Sequence, residues 1–363
     1  MRYIKFSAFL LLGLLGLPAC RSKKEDNQAE QAKQLQLQTI YGDFTITEPI
    51  LIELIEHPMF ERLKKVRQYG VQYYVIKPEE YQRHEHSIGT FLILRRFGAS
   101  LEEQIAGLLH DVSHTVFSHV GDWVFDHPDG KNSYQDDNHV VFLERSGLAD
   151  ILANHGFTIE DIHHKSKRFK AIDSELPTLN ADRIEYNLQG GLREKMITED
   201  ECKAMLDDLH FDNGVWYFTN PVLARKFADI TLYHTEYVWT GAHESLICDL
   251  AAKAIKNAVK AGCLTYDDIY FGTDDLIWQR LVACPDKQVQ ADMHKLTHHY
   301  ELYKHVDVKD ADIIIKVKCR GVDPLIKQGD TLKRLSEIDQ GFKQTHDALH
   351  ARIAPGWGLK ELK

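Results

Sequence analysis

Ile105-Ala106-Gly107-Leu108-Leu109-His110-Asp111-Val112-Ser113-His114-Thr115-Val116-Phe117-Ser118-His119 is the stretch whose reading decides the fold. Its first part continues a helical pattern in which Leu101, Ile105, Leu108 and Leu109 recur at spacings of three and four. The apolar run then closes on His110-Asp111, and two more histidines follow at 114 and 119. A His-Asp dipeptide alone carries no weight in a chain with 20 histidines, because about one is expected by chance. Its context carries the weight. Upstream lies Tyr81-Gln82-Arg83-His84-Glu85-His86-Ser87-Ile88-Gly89, and downstream Leu179-Asn180-Ala181-Asp182-Arg183-Ile184-Glu185-Tyr186. Each block puts a nitrogen or oxygen donor on a helix that a bundle can direct inward. His86, His110, Asp111 and Asp182 together make a mixed imidazole and carboxylate set suited to one divalent transition ion such as Mn, Fe, Zn, Co or Ni. Such an ion polarises a phosphoryl oxygen or acidifies a water, and Mg can accompany the phosphates of a substrate. Any one of these histidines alone would read as a buried residue bonded to a carbonyl; the agreement of three separate blocks favours the metal.

Outward from these blocks the pattern stays helical. It predicts helices over 86–97, 100–110, 138–146, 148–154, 180–189, 198–208, 221–234, 242–260 and 274–283, with a further helix start at Glu48-Pro49. Short strands are expected at 41–47, 215–218 and 313–318, and loops at 126–130 and Asn213-Gly214. The fold class is mainly α with a few short peripheral strands. No internal repeat and no linker divides residues 40–363, which read as one domain with a helical C-terminal extension.

The N-terminus reads as an address. Arg2 and Lys5 precede an apolar run from Phe6 to Leu17 that is too short to span a bilayer, and it ends in Leu17-Pro18-Ala19-Cys20. That ending resembles the lipobox of bacterial lipoproteins, so residues 1–20 are expected to be a lipoprotein signal peptide with Cys20 as the lipidation site. An uncleaved anchor or an ordinary secretory peptide is the alternative. Polar, Gln-rich residues 21–39 read as a solvated tether. The expected location is the bacterial cell envelope, held to the membrane by the lipid and facing the periplasm or exterior. The remaining cysteines, Cys202, Cys248, Cys263, Cys284 and Cys319, are odd in number and widely spaced, so no disulfide framework is expected, although an oxidising compartment would permit one bridge. A net charge of −10 argues against broad nucleic-acid binding, which relies on clustered cations, but leaves a small charged substrate open.

The three blocks, with Arg62-Leu63-Lys64-Lys65-Val66-Arg67-Gln68 before them and Val322-Asp323-Pro324-Leu325 after, resemble the HD-domain metal-dependent phosphohydrolases. Within that family they are most similar to the branch of bacterial dGTP triphosphohydrolases and vertebrate SAM-and-HD-domain dNTP triphosphohydrolases. The resemblance spans about residues 50–330 and implies an HD-domain helical bundle. It implies metal ligands at His86, His110, Asp111 and Asp182, and phosphate contacts at Arg83, His114, His119, Arg183 and Tyr186. It further implies a catalytic His139 oriented by Asp122, and Gln68 near the sugar. Independently of the family, Arg83 offers a forked cation and a histidine titrating near neutrality can protonate a leaving oxygen. The acidic residue that relatives carry eight places after the last metal ligand is here Gly190, which predicts altered substrate choice.

The favoured function is therefore hydrolysis of a nucleotide phosphoester, with dNTP triphosphohydrolase as the family's closest implication; a homo-oligomer is compatible with it. An exported phosphodiesterase or nucleotidase with another phosphoester substrate is one alternative. A surface-anchored binding lipoprotein with an inactive HD core is another. Cyclic-dinucleotide hydrolysis is disfavoured because no Gly-Tyr-Pro follows His110-Asp111.

Overall fold

The computed structural model describes residues 5–7, 33–125 and 133–362. Cys20 and the expected loop at 126–130 lie outside the described residues. At the centre stands the helix Arg83–Arg96, buried on nearly every side, with Ile88, Phe91 and Leu92 fully inaccessible. Each such buried side chain stabilises the fold by roughly 1.5–3 kcal/mol. Against it pack Leu101–Leu109 and Ala181–Arg193. Both neighbours start on side-chain caps. Ser100 Oγ accepts from Glu103 N at 3.2 Å, and Asn180 Oδ1 accepts from Arg183 N at 2.8 Å, so the turn carrying Asp182 is held at its first residue.

The expected helices appear with small shifts: His139–Ser146, Leu148–Asn154, Glu199–Asp208, Pro221–His234, Ala242–Lys260 and Asp274–Ala283. The central helix begins three residues earlier than expected, at Arg83, because the polar first turn hides its start from apolar periodicity. Around Ala242–Lys260 a second apolar cluster forms, with Leu246, Ile247, Ile255 and Leu281. Lys287–Thr297 and Gln340–Ile353 are helices that the sequence reading did not single out.

Strands sit at the periphery. Asn213 and Gly214, both at positive φ, close the hairpin of Leu209–Asp212 and Val215–Phe218. The tether expected through residue 39 is instead strand from Leu35 to Thr39, since Leu35 and Leu37 alternate with Gln36 and Gln38 and bury against the core. It pairs with Gly42–Ile46, and Lys5–Ser7 pairs on its other edge. The strand expected over 313–318 ends at Ile315. Its partner Trp357–Glu361 runs out there because Gly356, at φ +86°, turns away; a Cβ at that glycine would lie 2.7 Å from Ile315 O. Residues 316–320 leave the ladder there. Cys263 and Cys284 form a disulfide between the end of one helix and the end of the next but one, the single bridge that the sequence permitted without choosing its partners.

Candidate active site

His86, on the first turns of the central helix, His110, just past Leu101–Leu109, and Asp182, at the start of Ala181–Arg193, bring one ligand atom each to within 4.8 Å of one another. His86 Nε2 is 3.2 Å from His110 Nε2 and 3.0 Å from Asp182 Oδ1. The far side of each ring decides which nitrogen carries the proton. His86 Nδ1 lies 2.5 Å from Glu185 Oε2, and His110 Nδ1 lies 2.7 Å from Gly107 O, both acceptors. Each Nδ1 is therefore the donor, and two neutral rings would aim their Nε2 lone pairs at one another. A shared cation resolves that arrangement. Burial pushes both rings down, but Glu185, Asp182 and Asp111 outweigh it at His86, raising it to about 10, and Asp111 and Asp182 raise His110. A negative environment around converging imidazoles fits a divalent metal, with Glu185 as the outer carboxylate that orients His86. Glu185 also accepts from Tyr41 at 2.7 Å and from Tyr81, and burial followed by its charge holds both phenols well above their ordinary value.

Asp111, the fourth expected ligand, stands 3.4 Å from His86 Nε2, with its oxygens engaged by Arg83 and by His114 Nε2 at 3.2 Å. Burial opposes its ionisation, yet Arg83 and His110 keep it well below the carboxylate range. Asp182 retains 32% of its side-chain exposure while His86 has none, so the donor set opens on one side, toward the cleft.

That cleft is lined by the expected phosphate residues. Arg83 donates through Nε to Ser118 Oγ at 2.6 Å and pairs with Asp111, leaving its third nitrogen, Nη2, buried and unpartnered. Burial, then Arg83, depresses His114 to about 3, so it acts as a neutral ring. Arg183 lines the cleft but donates through Nη1 to the carbonyls of Ser174 and Thr178. Gln68 lines both halves of the cleft, with a buried and unpartnered Oε1. Tyr186 packs edge-on against Trp239 at 5.0 Å, giving the cleft an aromatic end.

The expected catalytic pair is not brought together. Asp122 Oδ2 sits 3.1 Å from His119 Nδ1, while its Oδ1 accepts from Tyr134 N. His139 is buried, 1% exposed, 3.0 Å from Ser113 Oγ and edge-on to His164. Burial, then His164 and His163, hold it neutral. His119, 44% exposed and facing the cleft, is the histidine that Asp122 orients. The reason is local: Asp122 is three residues beyond His119 on the same turn, whereas His139 starts another helix turned toward Ser113.

Residues that the sequence reading missed are also here. Glu185 was legible, lying three places after Asp182 on one helix face. Lys165, Lys318, Arg320 and Trp239 line the cleft with no motif to mark them. At Gly190 a Cβ would meet His234 Cε1 at 2.4 Å. The place of the family's acidic residue is thus filled by a buried His234, held down to about 4 by burial.

The loop after His110-Asp111 is strained, with Phe117 and Ser118 both at φ 57°. It is held by Arg83 on Ser118 and by the carboxylate of Asp274, which accepts from Phe117 N at 2.7 Å and Arg67 N at 2.9 Å. A Cβ at Gly70 would lie 2.3 Å from Phe117 O, so only glycine admits the close approach.

Residues 83–212 match the model of the HD domain. The chain is 30% identical over 329 residues to the uncharacterized protein YdhJ of Bacillus subtilis, covering 89% of this chain and 98% of that one. It is 32% identical over 248 residues to the metal-dependent phosphohydrolase cns2 of Cordyceps militaris, 67% of this chain and 71% of that protein. To the deoxynucleoside triphosphate triphosphohydrolase SAMHD1 of Bos taurus it is 31% identical over 134 residues, which is 23% of that enzyme's length. A phosphohydrolase from Bacteroides thetaiotaomicron shares the fold at TM-score 0.63 and 15% identity, over 91% of this chain and 100% of that one. With a relative matched over nearly its whole length and converging His86, His110 and Asp182 in the matched region, the chain belongs to the HD-domain metal-dependent phosphohydrolases.

Proposed function

We propose that this hydrolase cleaves a phosphoester of a nucleotide, in the manner of a deoxynucleoside triphosphate triphosphohydrolase. The observation that carries the reading is a pair of adjoining cavities, one lined by His110, Asp111 and Asp182 and the other by Trp239, that share Arg83, His119 and Tyr186 as common walls. Phosphate-sized chemistry at one end and a flat apolar surface at the other suit a nucleotide. The likeness to SAMHD1, named for deoxynucleoside triphosphates, supports the same class. His86, His110 and Asp182, with Asp111 beside them, would hold one divalent transition ion such as Mn, Fe, Zn, Co or Ni, which supplies Lewis acidity for phosphoryl transfer to water.

The chain's own groups do the rest. Arg83 turns its unpartnered nitrogen to a phosphate oxygen. Gln68 Oε1 accepts from a sugar hydroxyl. His119, with Nδ1 held by Asp122, gives the Nε2 proton to the leaving oxygen as the P–O bond breaks. Water supplies the oxygen that phosphorus gains, and its proton returns to solvent.

A second reading, an exported phosphodiesterase or nucleotidase with another phosphoester, is favoured by His234 at Gly190, which removes the room for the family's acidic contact. The Cys263–Cys284 bridge supports an oxidising compartment, in keeping with a lipid-anchored envelope protein. The test is a hydrolysis panel on the purified protein with each of these metals and Mg, over deoxynucleotides, ribonucleotides and simple phosphoesters. Release of inorganic triphosphate from a deoxynucleoside triphosphate is expected. Turnover of simple phosphoesters alone would select the second reading, and no turnover with any metal would leave a binding protein.

A further inference from the structure

The wall of the cleft farthest in sequence from the metal-bearing blocks is the segment 316–320, which follows the strand Ile313–Ile315. Lys318 and Arg320 line both the metal half and the aromatic half. Lys316 and Val317 line the aromatic half beside them, and Val317 and Cys319 also pack against the apolar core, which fixes the segment in place. The segment is anchored at both ends. Ile313–Ile315 pairs with Trp357–Glu361 before it, and after it Val322 N donates to Thr231 Oγ1 at 3.1 Å and Asp323 N to Pro177 O at 3.0 Å.

The charges on this wall are not equivalent. Lys316 rests its ammonium on Pro355 O at 2.7 Å. Lys165 lies 3.4 Å from Asp136. Lys318 and Arg320 have no hydrogen bond or ion pair from their side chains among the described residues. Burial, then the nearness of Arg320, Arg183 and Lys165, holds the Lys318 ammonium below its ordinary value. Asp136, the carboxylate that acts on Lys318, is already 3.4 Å from Lys165, so Lys318 and Arg320 are the cations of this wall with no direct partner to displace when an anion enters.

We propose that Lys318 and Arg320 form a second phosphate-binding rim that selects substrates carrying a polyphosphate chain, so that nucleoside triphosphates are taken in preference to monophosphates. This rests on the nucleotide phosphohydrolase reading above. One phosphate is matched by the metal donors, Arg83 and the cleft histidines. The further phosphates of a triphosphate need cations not yet committed, and a forked guanidinium beside an ammonium meets that need.

The test compares the natural protein with Lys318→Ala, Arg320→Ala and the double variant, all as full chains loaded with Mn. Calorimetry reads the binding of inorganic tripolyphosphate and of inorganic phosphate, and kinetics read KM and kcat for a nucleoside triphosphate and its monophosphate. The double variant should bind tripolyphosphate at least about tenfold more weakly, the loss of two charge-assisted contacts, with a much smaller change for inorganic phosphate. KM for the triphosphate should rise more than kcat falls. Equal weakening of both anions, or no weakening, would overturn the rim. Should the double variant fold poorly, the single variants carry the same comparison. If the natural protein hydrolyses no nucleotide, the nucleotide reading fails alone, and the selectivity between the two inorganic anions still decides the rim.

Discussion

At the scale of single residues, the site is governed by which atom each donor is left free to offer. Glu185 and the Gly107 carbonyl take the Nδ1 protons of His86 and His110, and this is what turns two histidines into ligands. The same logic underlies the acid proposed above. Asp122 holds His119 Nδ1, so replacing His119 with Ala should lower kcat by about a hundred- to ten-thousand-fold while the metal stays bound. Asp122→Asn should act in the same direction, and the double variant should be far less than multiplicatively worse, since the two act as a unit. Steady-state kinetics with metal analysis checks this; near-normal kcat in His119→Ala would move the proton elsewhere. In the sequence His139 reads as the acid and His119 as a phosphate contact. Family resemblance pointed to His139, and only the direction of each ring separates them.

At the scale of elements, the metal site depends on how closely the helix Ala181–Arg193 approaches Arg83–Arg96. Gly89 makes that approach, because a Cβ there would fall 2.3 Å from Glu185 Oε1. Gly89→Ala should therefore displace Glu185 and weaken metal affinity by roughly ten- to a hundredfold, the loss typical of a removed outer partner. Metal competition titration on the folded variant measures it; unchanged affinity would show that Glu185 does not support His86. The helix Asp274–Ala283 contributes differently, through its first residue. Burial raises Asp274 to about 6 even though Phe117 N and Arg67 N donate to it. A carboxyl whose folded value lies above its unfolded value of 3.8 contributes stability that is full below about pH 4 and is lost as pH rises through 6. Between those limits the natural protein should lose about 3 kcal/mol relative to Asp274→Asn. Urea unfolding of both proteins at pH 4 and pH 7 would show a constant difference if Asp274 does not titrate there.

At the scale of the whole molecule, the cleft draws on segments near residues 68, 83, 110, 182, 239 and 318. If the chain is exported and lipidated, Cys20→Ser should shift it from the membrane to the soluble fraction, because the apolar run before it is too short to hold the bilayer. Fractionation decides; identical partitioning of both proteins would assign anchoring to something else. The helical class, most helix bounds and the three donor-bearing blocks follow from the sequence alone, since periodicity, caps and spaced donors are local and survive without coordinates. The pairing of Asp122 with His119, the filling of the place at Gly190 by His234, the bridge between Cys263 and Cys284 and the cationic wall at Lys318 and Arg320 do not. Each depends on where one element faces another across the packed core. Sequence spacing fixes direction along a helix or strand but carries no information about the rotation and approach of two distant ones.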